Sequence, residues 1–170
     1  MSKQILLTSF DTWLPHQTSN SSDDLLHEIA KLNVSSPSLN FLKQMPVDVE
    51  LASRLVIDKI NQLQPDGIIC CGMAESRTDL TVESTATCGD SVLKTLVELE
   101  QLVAGSFGIK ISHDAGKFVC EGLYHSVLKY LCDRQMNTPC IFVHIPIMNA
   151  KNLPKIVADL EVIIHKIGYL

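Results

Sequence analysis

The sequence predicts a three-layer α/β/α sandwich built on a mostly parallel, mixed β-sheet. Short apolar segments that suit buried strands alternate with longer segments that show helical periodicity. The segment 68–71 (Ile-Ile-Cys-Cys) is wholly apolar, which is typical of a strand in the centre of a parallel sheet. Alternating strands and helices favour parallel pairing through right-handed crossovers.

The elements can be assigned in chain order, and no repeat or linker interrupts them. Strands are predicted over residues 4–10, 39–45, 68–71, 80–87, 108–112 and 140–144. Helices are predicted over residues 22–32, 48–63, 92–103, 118–134 and 153–167, the first of them capped by Ser22-Asp23-Asp24. A length of 170 residues suits one hydrophobic core, so residues 1–170 are expected to form a single domain.

The bulk composition narrows the possible partners. With 46% hydrophobic and 19% charged residues, the chain has the composition of an ordinary globular protein. A net charge of -5 gives no electrostatic reason to expect nucleic acid, and no basic run suggests a membrane surface. The apolar runs are too short to span a bilayer or to form a signal peptide, which makes a cytoplasmic location the default expectation.

Six cysteines are spread along the chain without a CxxC spacing. In a cytoplasmic protein of this size they are expected to be reduced thiols, most of them small core residues. A zinc site can be drawn from Cys70, Cys71, His113 and Cys120, but their spacing matches no standard set of ligands. We therefore expect no metal site.

Three residues could form a nucleophilic site where strands end. Cys120 lies in the first turn of a predicted helix, where backbone N–H groups and the helix dipole favour a thiolate and could hold an oxyanion. His144 ends a predicted strand and could accept the thiol proton. Glu83, in an otherwise uncharged strand, could fix the tautomer of the imidazole.

Each of these residues also has a structural interpretation. Cys120 could be the first core position of its helix, and His144 could be a hydrogen-bonded histidine at a strand end. Glu83 could point to solvent from an alternating strand. Spacing alone therefore does not establish a catalytic triad.

The cysteine and histidine segments carry a family resemblance. Residues 112–120 (Ser-His-Asp-Ala-Gly-Lys-Phe-Val-Cys) resemble the nucleophile motif of pyroglutamyl peptidase I, also called pyrrolidone-carboxylate peptidase, which reads roughly S-x-x-A-G-x-(F/Y)-x-C. Residues 142–146 (Phe-Val-His-Ile-Pro) are similar to its histidine segment, F-x-H-(V/I)-P.

Weaker matches lie in the same order along nearly the whole chain. Residues 81–83 (Thr-Val-Glu) resemble the family's S/T-x-E segment, and residues 8–13 (Thr-Ser-Phe-Asp-Thr-Trp) resemble its opening T-G-F-E-P-F. Residues 72–74 (Gly-Met-Ala) resemble its G-Q-A or G-L-A loop. The order of glutamate, cysteine and histidine is also that of the family.

The resemblance implies an activity and a site. Members remove an N-terminal pyroglutamyl residue from peptides with a Cys–His–Glu triad and without a metal or cofactor. Cys120 would be the nucleophile, His144 the general base and acid, and Glu83 the orienting carboxylate. The substrate pocket would include Phe10, Trp13 and Met73, and the substrate would be a peptide with N-terminal pyroglutamate or a similar small acyl group. Family members often form homotetramers, so a homo-oligomer is a further expectation.

The chain departs from the family pattern between Glu83 and Cys120, where it is shorter. No arginine occurs between Arg77 and Arg134, so the family's arginine near the active site has no counterpart by local alignment. Glu121 also replaces the small polar residue that usually follows the nucleophile. These departures leave two alternatives open: a thiol amidase or hydrolase with a different acyl specificity, or a non-catalytic binding homologue. A nicotinamide enzyme is disfavoured because no G-x-G-x-x-G follows the first strand.

Overall fold

A computed structural model of the chain describes residues 2–32, 34, 36–106 and 108–170. The strands within these residues are β1 (Gln4–Phe10), β2 (Ser38–Met45), β3 (Gly67–Met73), β4 (Leu80–Glu83), β5 (Thr85–Cys88), β6 (Ser91–Lys94), β7 (Ile109–Ser112) and β8 (Cys140–Ile145). The helices are α1 (Ser21–Ala30), α2 (Val49–Leu63), α3 (Leu99–Val103), α4 (Val119–Asp133) and α5 (Leu153–Gly168).

The central sheet has six strands in the order β2-β1-β3-β8-β4-β7. Neighbouring strands are parallel except for β4, which runs antiparallel to β8. The mostly parallel, mixed sheet predicted from the sequence is therefore confirmed. The reversal of β4 places Thr81 opposite His144 and Glu83 opposite Phe142, so these four side chains project from one face of the sheet.

Helices cover both faces of this sheet. Helices α2 and α4 pack over one face, against a core that includes Leu6, Ile68 and Phe142. Helices α1 and α5 pack over the other face, against a core that includes Leu7 and Ile69. Since side chains alternate along a strand, the short apolar strands contribute to both cores at once, which explains their continuous hydrophobicity.

The first two long helices each have a short polar residue at the N-cap. Asn20 caps α1 and accepts a hydrogen bond from the N–H of Ser22, so the helix begins one residue earlier than predicted and is not capped by residues 22–24. Asp48 caps α2 by accepting a hydrogen bond of 2.9 Å from the N–H of Leu51. Gln64, with a φ of 50°, ends α2 in the left-handed conformation.

The predictions for residues 80–87 and 92–103 were partly wrong. The chain turns at Ser84, so that β4 stays in the central sheet while β5 leaves it and pairs with β6 in a separate hairpin. Most of the predicted helix over residues 92–103 is therefore β6 and a connection, and only Leu99–Val103 is helical. The cause is the turn at Gly89-Asp90, where Gly89 has a φ of 57°.

This hairpin lies on the helix that carries Cys120. The Glu121 side chain accepts a hydrogen bond of 3.1 Å from the N–H of Thr87, and the Ser91 hydroxyl is 2.9 Å from Nε2 of His125. Ala86 is buried in the core between sheet and helix. Glu121, which departs from the family motif, therefore fastens the shortened segment to α4.

Two further properties of the chain concern its cysteines and its helices. All six cysteines carry free thiols, of which Cys70, Cys71 and Cys140 are buried. Across the described ranges, no helix combines the length and the apolar character that crossing a bilayer requires.

We expect Thr95→Val to destabilise the fold by about 1–3 kcal/mol, because two buried backbone groups lose their partner. The Thr95 hydroxyl donates to the carbonyl of Cys140 over 2.6 Å and accepts from the N–H of Val97 over 3.1 Å. Urea unfolding measures the change. Thr87→Val is the matched control, because that side chain is exposed on the hairpin, and it should stay within about 0.5 kcal/mol of the wild type. Equal losses in both variants would contradict this account.

Candidate active site

Glu83 and His144 are joined across the antiparallel strand pair β4–β8. Oε1 of Glu83 lies 2.7 Å from Nδ1 of His144. Both side chains are buried, and the glutamate has no exposed surface. The pKa of Glu83 is lowered: burial alone would raise it, but the hydrogen bond to His144 and the positive charge of Arg77 outweigh that effect. An ionised carboxylate only accepts, so Nδ1 carries the proton and Nε2 is left as an acceptor.

Cys120 is the second residue of α4. Phe118, at the N-cap, is extended and gives the first turn no side-chain hydrogen bond within the described residues. The first N–H groups of the helix are therefore free to meet negative charge. The sulfur lies directly above Gly72, since a Cβ added to that glycine would be 2.6 Å from Sγ. Gly72 is in turn the neighbour of His144 in the β3–β8 pairing, which brings the thiol close to the strand that carries the imidazole.

The pKa of Cys120 differs from the expectation drawn from its helix position. Burial of the sulfur, followed by the negative charge of Glu83, raises its pKa to about 12. The backbone N–H of Cys120 and the charge of Arg77 oppose this shift without reversing it. The lowered pKa predicted from the helix N-terminus was therefore wrong, because burial and a nearby carboxylate exceed the effect of the helix dipole. The resting side chain is a thiol at neutral pH.

A pocket of about 630 Å³ opens over these groups. Cys120 and His144 lie in its wall, and the three residues predicted to bind substrate, Phe10, Trp13 and Met73, line it as well. Glu83 is not part of the lining and stands behind His144. A volume of this size is typical of small-molecule sites.

The three predicted pocket residues differ in their surroundings. Phe10 is only 2% exposed and presents a fixed wall, whereas Trp13 is 49% exposed in the loop after β1. Met73 lines the pocket while its sulfur accepts a hydrogen bond of 3.4 Å from the N–H of Ser21. Gln17 holds the Trp13 loop in place by accepting from the N–H of Trp13 over 3.0 Å.

Phe118 and Arg77 are residues of the site that were not singled out from the sequence. Phe118 is 71% exposed at the rim of the pocket, and its ring centroid lies 5.8 Å from that of Trp13. Phe118 occupies the aromatic position of the nucleophile motif, which could have indicated that it belongs to the site. The other is Arg77, which lines the pocket and whose guanidinium contacts Glu83. The local sequence around Arg77 gave no indication of this role, and local alignment offered no counterpart for the family's arginine near the active site.

The cysteines and histidine of the hypothetical zinc site do not converge. Cys70 belongs to the core under α2 and α4, while Cys71 belongs to the core on the opposite face of the sheet. His113 is hydrogen bonded at 2.6 Å to the hydroxyl of Ser84. Over the residues described, no group of three or more histidine, cysteine, aspartate or glutamate side chains is arranged to hold a metal ion.

Known proteins resemble the chain in sequence and in fold. No protein-family model matches it. A pyrrolidone-carboxylate peptidase of Thermoanaerobacter sp. (strain X514) is 26% identical, over 89% of this chain and 86% of the relative. A pyrrolidone-carboxylate peptidase of Brevibacillus brevis is 24% identical, over 85% of this chain and 78% of the relative.

Solved structures show the same fold. The pyroglutamyl peptidase I of Bacillus amyloliquefaciens superposes with a TM-score of 0.86, covering 100% of this chain and 97% of its own, at 21% identity. The pyrrolidone carboxyl peptidase of Thermococcus litoralis superposes with a TM-score of 0.79, covering 98% and 93%, at 16% identity. The chain is thus similar in sequence to pyrrolidone-carboxylate peptidases and shares the fold of pyroglutamyl peptidase I.

Proposed function

We propose that the protein is a cysteine peptidase that removes an N-terminal pyroglutamyl residue from peptides. The observation that carries this proposal is the 2.7 Å contact between Glu83 and His144, behind a pocket whose wall includes Cys120. A nucleophile, a base and an orienting carboxylate on separate elements are the parts that acyl transfer by a thiol requires. The similar proteins are named pyrrolidone-carboxylate peptidase and pyroglutamyl peptidase I, which supports this proposal.

In the proposed reaction, His144 takes the proton of Cys120 as the sulfur attacks. The sulfur forms a bond to the carbonyl carbon that joins pyroglutamate to the next residue. The protonated imidazole then gives its proton to the leaving amine as the C–N bond breaks, which leaves a thioester on Cys120. Water, deprotonated by His144, attacks the thioester, and the free acid and the thiol are released.

The raised pKa of Cys120 fits proton transfer during attack rather than a standing thiolate. Because burial and Glu83 disfavour the charged sulfur, the thiol stays protonated until a substrate carbonyl is present. The ionised Glu83 stabilises the imidazolium that forms as His144 accepts the proton. The free N–H groups at the start of α4 would hold the oxyanion of the tetrahedral intermediate.

The pocket suits a flat and neutral acyl group. Phe10, Trp13 and Phe118 supply aromatic surfaces, and Met73 adds a polarisable one. A lactam ring carries no charge, so stacking and burial of apolar surface can hold it without an ionic partner. Substrates with an uncharged N-terminal acyl group are therefore preferred over those with a free α-amino group.

A thiol hydrolase of different acyl specificity is the second candidate. The observation that favours it is the size of the pocket, about 630 Å³, together with the half-exposed Trp13 and the exposed Phe118 at its rim. Such a rim leaves space for an acyl group larger than one five-membered ring. Turnover of other N-terminal acyl groups at a rate above that of pyroglutamate would select this candidate.

We also propose that the protein acts in the cytoplasm and self-associates. Six free thiols, including exposed Cys88 and Cys132, suit a reducing compartment. Exposed Leu51 and Leu55 on α2 leave apolar surface that a second copy could cover.

The proposed function predicts release of aminocoumarin from a pyroglutamyl-aminocoumarin substrate under reducing conditions. Cys120→Ala should lower the rate by roughly 10⁴-fold or more, because it removes the nucleophile. Cys132→Ala, an exposed cysteine near the other end of α4, is the matched control and should keep wild-type activity. A folded wild type that releases nothing, or an active Cys120→Ala variant, would refute the proposal.

We expect iodoacetamide to modify Cys120 more slowly at neutral pH than it modifies the exposed Cys88 and Cys132. A pKa raised to about 12 keeps the sulfur protonated below that value, so the thiolate fraction, and the rate with it, rises roughly tenfold per pH unit. Peptide mapping by mass spectrometry between about pH 7 and 10 measures each site. A rate at Cys120 that is already constant near neutral pH would mean that its pKa is lowered after all.

Gly72→Ala should lower kcat/KM by about 10²-fold, because its Cβ would take the space of the Cys120 sulfur and displace it from His144. Gly67→Ala, at the other end of β3, is the matched control. Its Cβ would meet Ile167 and Ile5 in the core, at 2.5 and 2.9 Å, far from the thiol. We expect that variant to lose stability and to keep the kcat/KM of its folded fraction. Similar kcat/KM values in both variants would contradict this placement of the sulfur.

A further inference from the structure

We propose that Arg77 is a positioning residue of this site, which holds the Glu83 carboxylate against His144 and fastens the loop that leads to Cys120. The inference rests on the proposed function, since it assigns Arg77 a part in the same reaction. Arg77 follows β3, so it reaches the site from a different element than any member of the triad.

The guanidinium of Arg77 contacts three groups. Nη1 donates to Oε1 of Glu83 over 2.5 Å and also to the hydroxyl of Thr81. Nη2 donates to the backbone carbonyl of Asp114 over 2.8 Å. Oε1 of Glu83 is the oxygen that also accepts the hydrogen bond from Nδ1 of His144, so arginine and histidine meet at one atom.

The Glu83 carboxylate depends on these contacts because it is cut off from water. It has no exposed surface, and an unpaired buried carboxylate costs several kcal/mol. Its second oxygen, Oε2, has no hydrogen-bond partner among the groups described. His144 and Arg77 both position the carboxylate through Oε1.

The contact to Asp114 extends the influence of Arg77 to the nucleophile. Asp114 lies between the end of β7 and the start of α4, six residues before Cys120. Its carbonyl accepts from Arg77 and, over 3.3 Å, from the hydroxyl of Ser112. The planar guanidinium has donors in fixed directions, so it can set the distance between the carboxylate and this loop in a way that a single ammonium cannot.

Arg77 also supplies the positive charge beside Glu83. The other titratable groups near the carboxylate are His144 on β8 and Cys120 and Tyr124 on α4. His113 and Asp114, in the loop after β7, contact Ser84 and Arg77 instead. The charge of Arg77 is one of the contributions that lower the pKa of Glu83, so removing the guanidinium moves that pKa upward, and a protonated Glu83 would no longer stabilise the imidazolium.

The first experiment compares kcat/KM for the pyroglutamyl substrate across pH. Arg77→Ala should lower kcat/KM by about 10²-fold and move its acid limb to higher pH, because a higher pKa of Glu83 is then crossed at higher pH. Arg77→Lys keeps the positive charge but loses the two guanidinium nitrogens that reach Glu83 and Asp114. The acid limb of this variant should therefore stay near that of the wild type, while its kcat/KM remains reduced. Arg54→Ala is the matched control, since it removes the same charge from an exposed pair with Glu50 on α2, and should change neither quantity.

The second experiment needs no activity. Arg77→Ala is combined with Glu83→Gln in a double-mutant cycle, and the melting temperature of each variant is measured at neutral pH. Arg77→Ala should lower Tm by roughly 6–15 °C alone, because it leaves a buried charge unpaired, and by less than half of that in the Glu83→Gln background. The same loss should shrink as the pH is lowered and Glu83 takes up a proton, because its charge then no longer needs a partner.

These outcomes separate the inference from the proposed function. A wild-type pH profile and a kcat/KM within twofold in Arg77→Ala would overturn the positioning role. Equal Tm losses in both backgrounds would overturn the contact with Glu83. A folded wild type without pyroglutamyl hydrolysis refutes the proposed function and, with it, the catalytic part of this inference, while the cycle still decides whether Arg77 holds the carboxylate.

Discussion

The hydrogen bond between Glu83 and His144 is the constraint on which the candidate site depends. It can form because β4 runs against β8, which sets the two side chains diagonally on one face of the sheet. The same reversal buries Glu83 completely, so its negative charge requires a positive neighbour. The orientation of β4 therefore determines the tautomer of the imidazole and the need for Arg77, and it adds the charge of Glu83 to the burial that raises the pKa of Cys120.

The sequence predicted most of the fold because the central strands are encoded by their own hydrophobicity. Strand β3 is apolar along its whole length, and α2 shows a clear apolar stripe. The segment after Glu83 could not be predicted in the same way. Its apolar residues have helical spacing, but the chain turns at Gly89-Asp90. The turn allows β5 to pair with β6, and both strands pack on α4.

The candidate site was predictable to the extent that motifs carry it. The five residues predicted for the pocket wall lie together, and Glu83 lies where an orienting carboxylate is needed. Local sequence could not indicate the balance of burial and charge at Cys120, since that balance arises from residues distant in the chain. Arg77 was missed for a similar reason: its role depends on Glu83 and Asp114, which only the folded chain brings together.

The alternation of Cys70 and Cys71 along β3 has a practical consequence for folding studies. Both thiols are fully buried, yet one lies beneath α2 and α4 and the other beneath α1 and α5. A thiol reagent reaches each of them only after the helical layer above it has detached. Adjacent residues thus act as built-in reporters for opposite sides of the molecule, and their relative labelling rates under native conditions reveal which layer opens first.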